Sequence, residues 1–274
     1  MKKTVVITGA SKGIGKETAL YFADKGWNVA ATMRSIEHSK ELNKIESIST
    51  YTMDVTDKGS IEDSKNQILT DFKKVDLVIN NAGYGLFGAF ETASNEQIKL
   101  QFDTNLFGVM EVTRAFLPHF RANRSGMFIN ISSMAGITTV PFISLYHSSK
   151  WALEGFSEGL SYELGQIGIS VKIVEPGGTK TDFNTASLVF ANNSQLEEYN
   201  ESLEKFQEFS QKMSNPDAFL TTIQVAETIY SAAIDEKKQL RYIVGENNQA
   251  RYKSRHENGV EKTIQQITAA VFKN

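Results

Sequence analysis

The chain has no cysteine, which excludes disulfides, thiolate metal sites and a cysteine nucleophile together. Proline is scarce: the four prolines, at 118, 141, 176 and 216, each fall at an expected element end or loop. No apolar run approaches the roughly 18 residues of a membrane span. The start is basic, but only Val5, Val6 and Ile7 follow as an apolar run, too few for a signal peptide. Positive charge is not in excess: 29 Lys and Arg stand against 32 Asp and Glu, a net charge of −3. No nucleic-acid partner is therefore expected. The histidines, at 38, 119, 147 and 256, show no ligand spacing, so no metal is expected. What is present is ordinary for a globular chain of 274 residues, 41% hydrophobic and 22% charged. A cytoplasmic protein without a membrane partner is the expectation.

Short apolar runs alternate with helical periodicity. Strands are expected at Lys3–Thr8, Asn28–Arg34, Ser49–Asp54, Val75–Asn80, Met127–Ser132, Ile169–Glu175 and Arg241–Gly245. Helices are expected at Ile14–Lys25 and near 36–46, 58–72, 95–120, 146–167 and 224–235. Such alternation is a series of βαβ units: an α/β fold whose parallel sheet is covered on both faces. Residues 178–223 interrupt it with polar sequence carrying Phe183, Phe190, Phe206 and Phe209, and read as a lid or binding loop. No linker or repeat divides the chain, so residues 1–274 are read as one domain.

Between the first strand and first helix lies Thr8-Gly9-Ala10-Ser11-Lys12-Gly13-Ile14-Gly15. Glycines there let backbone approach a pyrophosphate while the helix N-terminus offers free N–H groups and partial positive charge. The alternative is a tight strand–helix connection with no ligand. The βαβ context favours the cofactor reading.

Further motifs follow in order. Asn80-Asn81-Ala82-Gly83 ends the fourth strand, Ser133 follows the fifth, Tyr146-His147-Ser148-Ser149-Lys150 opens the next helix, and Pro176-Gly177 closes the sixth strand. With the glycine turn, and running from Lys3 to about Asp182, these motifs resemble the short-chain dehydrogenase/reductase family in its single-domain form. The resemblance implies a Rossmann-type, doubly wound fold with a seven-stranded parallel sheet. It also implies NAD(P)-dependent hydride transfer on a carbonyl/alcohol couple.

The residues themselves support such chemistry. Tyr146 and Lys150 are four apart, so a helix stacks them on one face. A nearby ammonium favours the phenolate of a tyrosine whose ordinary pKa is about 10. By resemblance Tyr146 passes a proton to or from the substrate oxygen, Ser133 orients that oxygen, and Lys150 also holds the nicotinamide ribose. Spacing to Tyr146 selects Ser133 over Ser132. Asn105 matches the family asparagine that holds a water in a proton relay; a simple helix cap or kink is the alternative. His147 has no assigned role.

Cofactor contacts carried over the same way are Gly9, Ser11, Lys12, Gly13, Ile14 and Gly15 in the turn, and Asp54 and Val55 at the adenine. Asn81, Ala82 and Gly83 fall along the adenosine ribose, and Pro176, Gly177 and Thr179 near the nicotinamide or phosphates. Asp54 could instead cap a helix. At the end of the second strand, Met33 occupies the position of the ribose-binding acid and Arg34 follows, with Lys12 as a second cation. These favour NADP(H) over NAD(H), because a guanidinium makes charge-assisted bonds to a 2′-phosphate. The alternative is an arginine stacked on adenine.

The substrate pocket is expected from Gly85–Phe90, Met134–Ile143 and the 178–223 insertion. Leu86, Phe87, Phe90, Ile137, Val140, Phe142, Ile143 and Phe183 make it apolar, unless these side chains pack on the body instead. Apolar residues on more than one face of the 95–120 and 146–167 helices suggest a homodimer or homotetramer. The reading is an NADP(H)-dependent oxidoreductase acting on a small apolar carbonyl or secondary alcohol. The alternative is a dinucleotide-binding regulator or scaffold without turnover.

Overall fold

A computed structural model of the chain describes residues 2–181, 188–191, 196–213 and 219–273. Seven strands form one parallel sheet: β1 (Thr4–Thr8), β2 (Asn28–Met33), β3 (Ile48–Thr52), β4 (Leu77–Asn80), β6 (Gly126–Ile131), β7 (Ile169–Glu175) and β9 (Arg241–Ile243). Their order is β3-β2-β1-β4-β6-β7-β9. The chain runs outward from β1 in one direction and then returns to continue from β4 in the other. That reversal leaves a crevice at the C-terminal ends of β1 and β4, where doubly wound sheets bind ligands.

Both faces of the sheet are covered, and side-chain alternation divides them. Val5, Ile7, Val29, Ala31, Leu77 and Ile79 pack with Ala19 and Phe22 of α1 (Gly13–Asp24), and with Val225 and Ile229 of a later helix, Thr222–Ile234. Val6, Ala30, Val78 and Phe128 point the other way. They meet Ile61 and Ile68 of α2 (Lys58–Phe72), Val112, Phe116 and Phe120 of α4 (Gly108–Asn123), and Leu164 of α5 (Ser144–Gly165). Strands buried on both faces read as continuous apolar runs, which is why the sequence marks them.

Several elements differ from the sequence expectations. Residues 36–46 form two 3₁₀ turns, Ile36–Ser39 and Leu42–Lys44, in place of a helix, and of these Leu42 is the one that enters the core. The 95–120 helix is broken into α3 (Asn95–Phe102), a π-helical turn (Asp103–Phe107) and α4. Pro118 lies inside α4, which runs on to Asn123. The insertion contains β8 (Leu188–Phe190), which pairs in parallel with β5 (Gly85–Phe87) in a separate small sheet, and the helix α6 (Asn200–Met213). After α7 (Thr222–Ile234) and β9 come two unforeseen helices, α8 (Glu246–Asn258) and α9 (Val260–Phe272). No helix among the described residues is long and apolar enough to cross a membrane.

Candidate active site

A cleft of about 680 Å³ opens at the switch point between β1 and β4. Its lining includes the turn residues Gly9, Ser11, Lys12, Gly13, Ile14 and Gly15, and, at the second strand's end, Arg34. Asp54, Val55, Asn81, Ala82 and Gly83 continue it, as do Ser133, Tyr146, Lys150, Pro176, Gly177 and Thr179. The structure therefore brings these sequence-selected residues to one surface. Asn105 is the exception: it is fully buried and stands behind the lining.

The turn is held by close backbone approach. Gly9 has φ +67°, and a Cβ there would come within 2.8 Å of the Ala82 Cα. A Cβ on Gly15 would lie 2.4 Å from both the Asn81 side-chain nitrogen and the Gly9 carbonyl oxygen. Thr8 and Asn81 lock the two segments: the Thr8 hydroxyl accepts the backbone N–H groups of Asn81 and Ala82, both at 3.0 Å. The Asn81 amide donates to the carbonyls of Thr8 (2.9 Å) and Gly9 (3.1 Å). Asn81 thus builds the turn with its side chain. Among the described residues no side chain caps the N-terminus of α1 at Lys12, and the first turn of α1 holds no acidic residue. Uncapped N–H groups at a cleft wall suit an anionic phosphate, so the residues fit the dinucleotide that the motifs imply.

Arg34 is exposed at the rim and makes no ion pair among the described residues. Asp54 lines the cleft while its Oδ1 accepts from the N–H and hydroxyl of Thr56 (2.9 and 2.8 Å). The N-cap of α2 is Asp57 instead, whose Oδ1 accepts from Gly59 and Ser60.

At the other end of the cleft, α5 presents Tyr146 and Lys150 one turn apart. Lys150 is 6% exposed, donates from Nζ to the Ile131 carbonyl at 2.8 Å, and lies 5.9 Å from the centre of the Tyr146 ring. Burial lowers its pKa to about 8, opposed by the charge of Glu154 on the next turn. Two effects act on the Tyr146 phenol. Burial pushes it up to about 12, and the hydrogen bond with Ser133 opposes this. The phenol is therefore protonated at neutral pH, the form that gives a proton to a carbonyl oxygen. The Ser133 hydroxyl also accepts the Ala135 N–H at 3.0 Å and donates to the Pro176 carbonyl at 3.4 Å. Ser132 is buried and sits beside Glu154.

Asn105 lies in the π turn. Its Oδ1 accepts the Tyr84 N–H at 3.1 Å, and its Nδ2 donates to the Tyr84 carbonyl (2.9 Å) and the Ser149 hydroxyl (3.2 Å). Its side chain thus ties the β4–β5 loop to α5 beneath Lys150. Sequence reasoning missed Tyr84, Ser149 and the π turn itself, although π turns concentrate at functional sites. The signal available was Gly108: a Cβ there would come within 2.8 Å of the Val55 carbonyl oxygen.

The apolar pocket residues are largely redirected. Of those expected, Ile143 lines the cleft, where Leu100 and Val189 join it. Phe87, Val140 and Phe142 pack with Phe206 and Phe209 of α6 and Val271 of α9. Leu86 and Ile137 are buried, and Phe90 is 65% exposed on a shallow outer depression. Phe183 lies outside the described residues.

The family model described as short chain dehydrogenase matches residues 3–190. A 3-ketodihydrosphingosine reductase of Bacteroides thetaiotaomicron is 39% identical over 197 residues, covering 72% of this chain and 70% of the relative. A short-chain dehydrogenase structure from Streptomyces avermitilis superposes with a TM-score of 0.84 at 30% identity, covering 97% of this chain and 95% of that one. The NADP-bound structure of ElxO gives a TM-score of 0.76 at 30% identity, over 91% and 100% of the two chains.

Proposed function

We propose, since this chain belongs to the short-chain dehydrogenase family and is an oxidoreductase of it, that it reduces the carbonyl of an apolar substrate with NADPH. The observation that carries this reading is the group at the inner end of the cleft: Tyr146 beside Ser133, with Lys150 one turn along the helix and its Nζ 5.9 Å from the Tyr146 ring centre. The nicotinamide, when bound, supplies the hydride. Tyr146 gives its proton to the carbonyl oxygen, Ser133 holds that oxygen by a hydrogen bond, and Lys150 stabilises the phenolate left behind. Asn105 fixes the loop and helix that frame Lys150. A complete set of Asn105, Ser133, Tyr146 and Lys150 favours turnover over a scaffold that only binds dinucleotide, and the whole chain acts as one catalytic unit.

Arg34 and Lys12, both exposed on the cleft rim, are the cations suited to a 2′-phosphate. The NADP held by ElxO supports the same choice. Leu100, Ile143 and Val189 support an apolar substrate, and the relative named for a ketodihydrosphingosine agrees with it. We also read the chain as a homo-oligomer. Leu106, Val109 and Leu153 form a cluster separate from the sheet core with half-buried Phe102, Met110 and Phe156, and Phe107 and Trp151 stand exposed nearby.

The test is NADPH oxidation across apolar ketones and aldehydes, with NADH compared on whichever is turned over. The expected kcat/KM ratio favours NADPH by at least about tenfold, or ~1.4 kcal/mol, and the double substitution Met33→Asp, Arg34→Ser narrows it. Equal use of the two cofactors, or an unchanged ratio in the double variant, overturns the phosphate reading.

A further inference from the structure

His147 follows Tyr146 in the chain but does not line the cleft, and its side chain is buried. Both ring nitrogens are engaged by the loop that joins Ser133 to α5. Nδ1 lies 2.8 Å from the Ala135 carbonyl oxygen, and Nε2 accepts the Val140 N–H at 2.9 Å. An amide N–H can only donate and a carbonyl can only accept. The two bonds therefore admit one state of the ring, neutral with its hydrogen on Nδ1.

The first part of the clasped loop is a 3₁₀ turn, Met134–Gly136, with bonds of its own: the Thr138 N–H donates to the Met134 carbonyl at 2.8 Å, and the Gly136 N–H to the Ser133 carbonyl at 2.8 Å. Phe142 has φ +60°, a conformation unusual for an aromatic residue, and its carbonyl accepts the Gly88 N–H at 2.7 Å. Contacts from outside add to the loop's own bonds, and His147 supplies two of them. Ser133 stands at one end of this segment. Ile143, which lines the cleft, stands at the other.

We propose that His147 is a positioning residue whose neutral Nδ1–H ring clasps the Ala135–Val140 loop, setting Ser133 and Ile143 against Tyr146, and whose protonation releases that clasp. The inference rests on the reading of Tyr146 and Ser133 given above. A protonated ring would point an N–H at the Val140 N–H and lose that bond. Its surroundings also disfavour the cation. Burial lowers its pKa, and Arg251 and Arg255 of α8 add to this. Lys150 is a further cation on its own helix. Glu154 lies against Gly136 of the loop and is ion-paired with Arg241 at 3.1 Å. Release therefore belongs to pH below the ordinary histidine range of about 6.5.

The test uses the full chain, His147→Gln and His147→Ala. In His147→Gln the amide oxygen still accepts the Val140 N–H but cannot titrate. Expected for the unmodified protein is a KM for the carbonyl substrate that rises by about tenfold as pH falls below the ordinary histidine range, with NADPH affinity unchanged. His147→Gln should lack this acid limb and keep KM within about threefold at pH 7.5, while His147→Ala should raise KM about tenfold across the range. An acid limb retained in His147→Gln overturns the proposal, because packing alone would then explain the residue. Nitrogen NMR of the imidazole gives an independent reading. A hydrogen on Nδ1, with Val140 amide exchange accelerating as the ring protonates, supports the clasp. A hydrogen on Nε2, or Val140 exchange indifferent to pH, refutes it. These NMR outcomes decide the role of His147 even if no carbonyl is turned over, a result that would count against the catalytic reading instead.

Discussion

Replacing Arg241 by methionine tests the buried charge cluster that supports the site from below. Arg241 on β9 places Nε 3.1 Å from Glu154 Oε2 and 3.5 Å from Glu175 Oε1, and Nη2 2.9 Å from Glu158. Glu175 is fully buried, directly before Pro176, with its carboxyl group against that of Glu154 and the Arg241 guanidinium. Burial, then the neighbouring Glu154, pushes Glu175 up to about 8. A proton held between the two carboxyl groups accounts for that rise, because adjacent buried carboxylates do not both ionise. Methionine keeps the apolar stem and removes the charge. Breaking a buried pair by deleting one partner costs about 3–5 kcal/mol, and the partial exposure of Arg241 places the loss near ~3 kcal/mol. The folded-state pKa of Glu175 lies above the unfolded value of about 4.3. The folded protein therefore binds an extra proton between those limits, and this contribution to stability declines as pH rises toward 8. Without Arg241 the decline steepens. Urea unfolding of both proteins at pH 6 and pH 8 should show the larger loss at pH 8. A loss below about 1 kcal/mol, or one larger at pH 6, would refute the shared-proton arrangement.

Two further outcomes follow from the same structure. Lys150 is lowered by burial to about 8, so it loses its charge as pH rises, and kcat/KM should fall above about pH 8. Glu154→Gln removes the charge that opposes this shift and should move the alkaline limb to lower pH in the measured profile. Light scattering of the purified protein should give a mass of at least twice 30.5 kDa; a monomer at micromolar concentration would remove the oligomer reading.

The legible parts of the fold were those that long-range packing and local chemistry specify together. The strands read clearly because Val5–Ile7, Val29–Ala31 and Leu77–Ile79 are buried from both sides and carry unbroken apolar sequence. The glycine turn and the Tyr146–Lys150 spacing were legible because each depends on residues close in the chain. The π turn was not, since Phe102, Leu106 and Val109 keep helical periodicity through it. α8 was hidden for the opposite reason: it buries no residue and so has no apolar face to register. Residues 36–46 carried enough apolar positions to suggest a helix, but the core fully buries Leu42 and only partly covers Ile45, while Ile36 stays exposed. The pocket was misjudged because α6 and α9, distant in sequence, claim Phe87, Val140 and Phe142.

The most direct test of the catalytic reading is Tyr146→Phe, which removes one hydroxyl and leaves the ring to pack. Turnover of the best carbonyl substrate should fall by at least about a thousandfold, within the 10²–10⁴ range for a lost general acid. NADPH affinity and the unfolding midpoint should stay close to those of the unmodified protein. A folded, NADPH-binding Tyr146→Phe protein that still turns over its substrate at a comparable rate would contradict the assignment of the proton to Tyr146.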